Sequence, residues 1–310
     1  MITFEHVSKA FDGAVAIDDL SLTIDEGDFT VVIGASGSGK SSVLKMINRL
    51  LEHDSGRILF AGREIRSFRP EDLRRRMGYA IQSIGLFPHW TVEQNIATVP
   101  DLLRWPRSRT RDRVTELLET LKLPPDTYRN RYPHQLSGGQ QQRVGVARAL
   151  AGDPDMLLMD EPFGALDPVT RDALQQEIAR IHDASGKTIV LVTHDIDEAL
   201  RLAGRIVVLD RGHVVQVATP REILSHPAND YVADFVGRSD VGIKLLGLYT
   251  VADCLRPGEV APGAPIAATA TLREALSAFV AQRVERLPVV DEHGRPAGAI
   301  ALADLLRRQP

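Results

Sequence analysis

Cysteine is almost missing from this chain: Cys254 is the single example in 310 residues. One thiol cannot close an internal disulfide, and with no matching catalytic site around it Cys254 reads as core or surface filler. Long apolar runs are missing too, so no segment is expected to span a bilayer. The opening Met1-Ile2-Thr3-Phe4-Glu5 has neither the basic nor the apolar region of a secretory signal, and the expected location is the cytosol. Positive charge is not in excess. The formal net charge of −4 argues against a nucleic-acid binder, while leaving room for a local basic patch. What remains, 44% hydrophobic and 25% charged residues, is the composition of an ordinary soluble globular protein, and the length predicts one large and one small domain.

What the chain does contain is Gly34-Ala35-Ser36-Gly37-Ser38-Gly39-Lys40-Ser41, which satisfies G-x-x-x-x-G-K-[ST] at every specified position. Four specified positions match by accident in about 1% of chains this long. Thr30-Val31-Val32-Ile33 reads as a buried strand before it, and Ser42 to Leu51 as a helix after it, with Val43, Leu44, Ile47 and Leu51 on one face. At such a strand-to-helix turn the glycines tolerate positive φ, and backbone N–H groups converge beside the positive end of a helix dipole. That arrangement suits a β-phosphate. Lys40 is expected to neutralise the β- and γ-phosphates of a nucleoside triphosphate, and the Ser41 hydroxyl to be a hard-oxygen ligand for Mg²⁺. The guanine-reading N-K-x-D or T-K-x-D is absent, which counts against a GTPase switch.

Taken in order, Ile2 to Val7 and Ala14 to Ile24 read as antiparallel strands joined through Asp12-Gly13. Phe11 stands just before that turn, either as a core aromatic or as a face for an adenine ring; on the bare sequence the core is the better guess. Ile58-Leu59-Phe60 with Ala61-Gly62 begins another hairpin-like piece. Arg74-Arg75-Arg76 reads as a solvated helix face, being too short a run for a nucleic-acid site. Gly78 to Ile81 reads as a strand ending at Gln82. From Ser83 to Asn95, Leu86, Phe87, Pro88 and Trp90 crowd a stretch too irregular for a regular element. It is either a partner surface or a loop tucked onto its own core. Arg111 to Leu123 is a helix by spacing, ended by Pro124-Pro125.

Leu136-Ser137-Gly138-Gly139-Gln140 opens a helical run to Leu150, with Ser137 as N-cap and two bare glycines leaving the helix end open to an anion. Met156 to Met159 is a buried strand with Asp160-Glu161 at its tip. Two carboxylates there are costly unless they meet a cation or do chemistry. Asp160 is expected to hold Mg²⁺, and Glu161 to deprotonate an attacking water. Asp167 is the N-cap of another helix, with Pro168 at its first position and Gly186 past its end. Thr188 to Thr193 is a strand ending at His194, placed to contact a γ-phosphate. Arg205 to Asp210 and Val214 to Ala218 form a hairpin closed by Arg211-Gly212-His213.

With the glycine-rich turn, Gln82, Leu136 to Gln140, Asp160-Glu161 and His194 in that order, the chain resembles the ATP-binding subunit of ABC transporters over residues 1–237. The resemblance implies an α/β P-loop NTPase: a RecA-like core with antiparallel β and helical subdomains. It implies ATP and Mg²⁺ as ligands, the nucleotide touching Gly34, Ala35, Ser36, Gly37, Ser38, Gly39, Lys40, Ser41 and Ser42, with Phe11 stacked on adenine. Two subunits would sandwich two ATP molecules, the loop Gly34–Ser41 of one facing Ser137, Gly138, Gly139 and Gln140 of the other. Gln82 would sense the γ-phosphate and the metal beside Ser41 and Asp160, Glu161 would be the base, Asp167 would reach across the dimer, and His194 would complete the γ-phosphate contacts. The stretch Ser83 to Asn95 would dock an integral membrane permease, which in turn meets a solute-binding protein. The subunit would sit peripherally on the cytoplasmic side of the inner membrane.

Within that family, Lys45-Met46-Ile47-Asn48-Arg49, Leu86-Phe87-Pro88-His89 and Phe163 to Pro168 resemble importers of osmoprotectants such as glycine betaine and choline. Polar amino acid importers share much of this wording and are the alternative. Non-transport ABC ATPases join two cassettes or carry coiled-coil insertions, and this chain has neither. Residues 240–310 resemble a single small α+β CBS-like domain: the capping box Thr271-Leu272-Arg273-Glu274 opens a helix, and Leu287 to Asp291 and Gly298 to Ile300 are strands. Asp304 matches a ribose-binding aspartate, but Ala301 stands where the pattern has a hydroxyl, so weak or no nucleotide binding is expected there. A chiefly regulatory dimer with incidental ATPase activity is the reading from another class, and the intact Glu161 weighs against it.

Overall fold

The computed structural model describes residues 1–81, 85–164 and 166–307. The chain divides into two compact units, Met1–Val217 and Ala218–Pro310. The first opens with β1 (Ile2–Phe11) and β2 (Ala14–Ile24), turned by Asp12 and Gly13 at φ 47° and 84°, the positive values that a tight hairpin needs. There follow β3 (Phe29–Ile33), α1 (Lys40–Ile47), β4 (Ser55–Phe60), β5 (Arg63–Glu64), α2 (Pro70–Arg75), β6 (Met77–Ala80), α3 (Val92–Leu102), α4 (Arg107–Thr120), α5 (Pro125–Tyr128) and α6 (Gly138–Leu150). The unit then runs through β7 (Met156–Asp160), α7 (Pro168–Ser185), β8 (Thr188–Val192), α8 (Ile196–Leu202), β9 (Arg205–Asp210) and β10 (His213–Ala218).

Two sheets share one core. The order β2-β1-β4-β5 is antiparallel; the order β10-β9-β3-β8-β7-β6 is parallel from β9 to β6. Strands β3 and β8 are buried along their whole length, which is why they read as unbroken apolar runs. Val43, Leu44 and Ile47 of α1 pack with Val32, Leu158, Val190 and Val207 of the parallel sheet and with Phe4, Ile24 and Phe60 of the antiparallel one. The helix that follows the glycine-rich turn is therefore clamped between the sheets.

Several boundaries differ from the sequence reading. Helix α1 begins at Lys40 and stops at Ile47, and Leu50 and Leu51 instead fold back to donate to Lys45 O. The stretch from Ser83 is not irregular throughout. Thr91 caps α3 in a reciprocal pair with Gln94, a T-x-x-Q signal masked by the aromatics before it. Helix α4 starts a turn earlier than expected. Arg74, Arg75 and Arg76 are exposed, as their run suggested, and Arg74 also donates to the carbonyls of Asn48 and Arg49.

The second unit holds α9 (Pro220–Ser225), α10 (Asp230–Val236), α11 (Val241–Leu246), β11 (Arg256–Pro257), β12 (Ile266–Ala267), α12 (Leu272–Gln282), β13 (Arg286–Val290), β14 (Pro296–Ala301) and α13 (Asp304–Arg307). Its sheet runs β11-β14-β13-β12. Leu272, Ala275 and Phe279 of α12 pack on Leu287, Val289 and Ile300, with half-buried Cys254 at the margin. Thr271 and Glu274 form the expected capping box. Gly237 ends α10 inside this second unit, after helices that pack on one another.

Candidate functional site

Strand register gathers the motifs. Val32 of β3 pairs with Val192 of β8, and Asp160 of β7 pairs with the same Val192. The loop after β3, Glu161 after β7 and His194 after β8 therefore leave neighbouring strands at one edge, the carboxyl edge where α/β sheets bind ligands.

The loop is shaped by close approach. A Cβ at Gly34, where φ is 154°, would fall 2.2 Å from Leu209 O, and one at Gly39, where φ is 101°, 2.7 Å from Ala16 O. Lys40 is 6% exposed and its Nζ donates to Gly34 O at 2.8 Å and Ala35 O at 2.9 Å. Burial pulls its amine below the usual range, against the carboxylates of Glu161 and Asp160, which pull it up. The buried Ser38 Oγ lies beside Gly34 with no hydrogen-bond partner among the described residues. A cation turned into the loop and an orphaned hydroxyl are what a phosphate would satisfy.

Ser41 Oγ donates to Asp160 Oδ1 at 2.9 Å, so two of the three residues expected at the metal already meet. Burial raises the Asp160 carboxyl above the ordinary range, opposed by the Ser41 hydrogen bond. Tyr79, on the adjoining β6, has its phenol pushed up to about 12 by burial and by the Asp160 charge. Among the described residues no three His, Cys, Asp or Glu side chains cluster as a metal site. Glu161 has φ 44°, a left-handed turn that costs a non-glycine residue about 1–3 kcal/mol. Its N–H donates to Val192 O at 2.9 Å, and its Oε2 lies 3.2 Å from His194 Nδ1.

The remaining expected residues stand apart. Phe11 is 45% exposed, so the core guess is wrong for it; β1 ends at this residue. Ser137 caps α6 in a box with Gln140, and Ser137 and Gly138 are exposed. The contacts of α6 within the chain are chiefly with α3, α4, α7 and β6. Asp167 caps α7 by accepting from Thr170 N at 3.0 Å, and hydrogen bonds from Thr170 hold its carboxyl below the usual range. Gly186 ends α7 with φ 61°. Ser42 follows Ser41 in the first turn of α1. Gln82 lies outside the described residues. Sequence reading missed Glu198, a buried carboxyl that accepts from Thr193 Oγ1 at 2.6 Å immediately behind His194. The available signal was Asp195 capping α8 three residues before it.

A family model described as ABC transporter matches residues 17–164, and one described as CBS domain matches residues 264–310. The glycine betaine uptake system ATP-binding protein YehX of Escherichia coli (strain K12) is 63% identical over 306 residues, 99% of each chain. This chain belongs to the ABC transporter ATP-binding proteins. The glycine betaine/carnitine/choline transport ATP-binding protein OpuCA of Bacillus subtilis (strain 168) is 48% identical over 294 residues, 94% of this chain and 76% of the relative. A dimeric ATP-binding cassette solved in a post-hydrolysis state with ADP and Pi is 32% identical, with TM-score 0.64 over 71% of this chain and 99% of that one. The ABC cassette here is thus a P-loop NTPase fold with a CBS domain at its carboxyl end. Membership carries ATP binding and ATP hydrolysis coupled to transport. ABC cassettes dimerise and work with membrane permease components, and among the described residues no helix is long and apolar enough to cross a membrane.

Proposed function

We propose that this chain is the ATP-hydrolysing subunit that energises import of osmoprotectants, glycine betaine, choline or a related quaternary amine. The observation that carries the reading is the meeting of Lys40, Ser41–Asp160 and Glu161–His194 at one sheet edge. The likeness to YehX along 99% of both chains supplies the solute class. Gly34 to Ser42 hold the triphosphate, and Ser41, Asp160 and Gln82 are assigned to Mg²⁺, which when bound neutralises phosphate charge. Glu161 accepts the proton of the attacking water, and His194 orients that carboxylate and reaches the γ-phosphate. Phe11 stacks on the adenine.

The open helix end at Ser137 to Gln140 and the Asp167 turn are completed by a second copy of the cassette, so two ATP molecules lie between two subunits. Phe87 and Trp90, 44% and 41% exposed with ring centroids 4.5 Å apart, form the contact for the permease. Asn95 holds that turn rigid, accepting from Phe87 N and donating to Phe87 O and Trp90 O. Beside it a cavity of about 370 Å³ runs between Tyr79, Phe87, Val99 and Arg148. The subunit sits peripherally at the cytoplasmic face of the membrane, against the permease, and the permease in turn meets a solute-binding protein. The first compact unit, with the following helices to residue 237, is the cassette; residues 240–310 are the regulatory and dimerising tail. The test is reconstitution with the permease and a panel of labelled betaine, choline, carnitine and proline. ATP-dependent uptake of a quaternary amine supports the assignment, and uptake of none of them removes it.

A further inference from the structure

Phe11 lies at the end of β1, where that strand has already parted from β4. The two pair from Ile2 with Phe60 to Glu5 with Arg57, shift register, and meet last at Ser8 with Ser55. Beyond Ser8 the outer edge of β1 needs another acceptor for its N–H groups. Asp54, the residue before β4, provides one. Its Oδ2 accepts from Ala10 N at 2.8 Å, its Oδ1 accepts from Lys9 Nζ at 2.7 Å, and its own N–H donates to Ser8 O at 2.9 Å. Lys9 Nζ in turn lies 5.4 Å from the centroid of the Phe11 ring.

The other side of the hairpin is fixed to the phosphate loop. Lys9 pairs with Ile17 of β2, and a Cβ at Gly39 would fall 2.5 Å from Ile17 Cδ1. Between Lys9 and Ala10 the register with β2 shifts again before Ala10 pairs with Val15 and Phe11 with Ala14, so an irregularity sits immediately ahead of the ring. A carboxylate that holds the Ala10 N–H and the Lys9 ammonium at once fixes the strand across that irregularity.

We propose that Asp54 is a positioning residue for the nucleotide base: through Ala10 and Lys9 it sets where the Phe11 ring stands relative to the phosphate loop. This rests on the reading of Phe11 as the adenine-stacking residue. Asp54 touches no nucleotide itself. Asparagine in its place keeps an acceptor for Ala10 but loses the charge that holds Lys9.

The experiment measures binding of Mg·ATP and of Mg·tripolyphosphate, which has no base, to the full chain and to Asp54→Ala, Asp54→Asn, Phe11→Ala and the Asp54→Ala/Phe11→Ala pair. A misplaced ring forfeits part of the base stacking and weakens ATP by about threefold to tenfold. The expected result is that loss in Asp54→Ala with tripolyphosphate unchanged, an intermediate loss in Asp54→Asn, and no further loss in the pair beyond Phe11→Ala. Wild-type ATP affinity in Asp54→Ala, with Phe11→Ala weakened, overturns the role of Asp54 alone. Unchanged affinity in Phe11→Ala overturns the stacking reading and the proposal with it. Equal loss for ATP and tripolyphosphate, or additive losses in the pair, shows that Asp54 is merely structural and also overturns it.

Discussion

His194 Nδ1 stands 3.2 Å from Glu161 Oε2, on the turns that follow two adjacent strands. The imidazole is thus a support for the carboxylate assigned as base. His194→Ala is expected to lower kcat roughly 10²-fold with little change in KM for ATP. Steady-state kinetics check this, and a raised KM with kcat intact contradicts it.

Asp160 yields a prediction with opposite signs for stability and activity. Burial raises its carboxyl, so the folded chain binds that proton more readily than the unfolded one. Its contribution to stability is then present at low pH and lost as pH rises through the folded value. Asp160→Asn removes the buried charge. Without nucleotide the variant is expected to melt at a higher temperature than the parent at neutral pH, and to lose Mg²⁺-dependent hydrolysis. A lower melting temperature contradicts the sign.

Phe87 and Trp90 leave apolar rings in water on a turn pinned by Asn95. Phe87→Ala and Trp90→Ala are expected to keep the ATPase activity of the isolated subunit within about twofold, since surface changes shift stability by less than about 0.5 kcal/mol. Co-purification with the permease is expected to fall. Equal loss of soluble activity and of folding contradicts a docking role.

In the second unit both Asp304 oxygens are engaged by Arg256, at 2.8 Å and 2.6 Å, and Oδ2 also accepts from Ala301 N. A nucleotide ribose there competes with an ion pair already made. The full chain is expected to bind one ATP, and Lys40→Ala to bind none tightly by calorimetry. Tight saturable AMP or ATP binding that survives Lys40→Ala contradicts this.

Much of the catalytic edge was legible because its residues sit at strand tips, where a buried apolar run followed by glycine, carboxylate or histidine has few structural explanations. Asp160, Glu161 and His194 carry that pattern, and parallel register then brings them together without further information. On the bare sequence Phe11 was not legible, and only the family resemblance pointed to its ring: exposure of one aromatic depends on where β1 parts from β4, a tertiary fact. Helix α3 was hidden behind Phe87 and Trp90, although its Thr91–Gln94 cap was in plain view. Glu198 had the Asp195 cap as a signal, but its bond with Thr193, like the distant contact of Asp54 with Ala10, is hydrogen-bonded geometry that periodicity does not reveal.

The central claim rests on Glu161 as the base, and Glu161→Gln tests it most directly, because the amide keeps the shape and cannot take a proton from water. ATP turnover of purified wild-type and Glu161→Gln chains, measured beside gel filtration with Mg·ATP, is the decisive measurement. The account predicts ATP binding retained, turnover reduced at least about 10²-fold, and an ATP-trapped dimer in the variant. Turnover close to wild type, or a variant that stays monomeric while saturated with ATP, would contradict it.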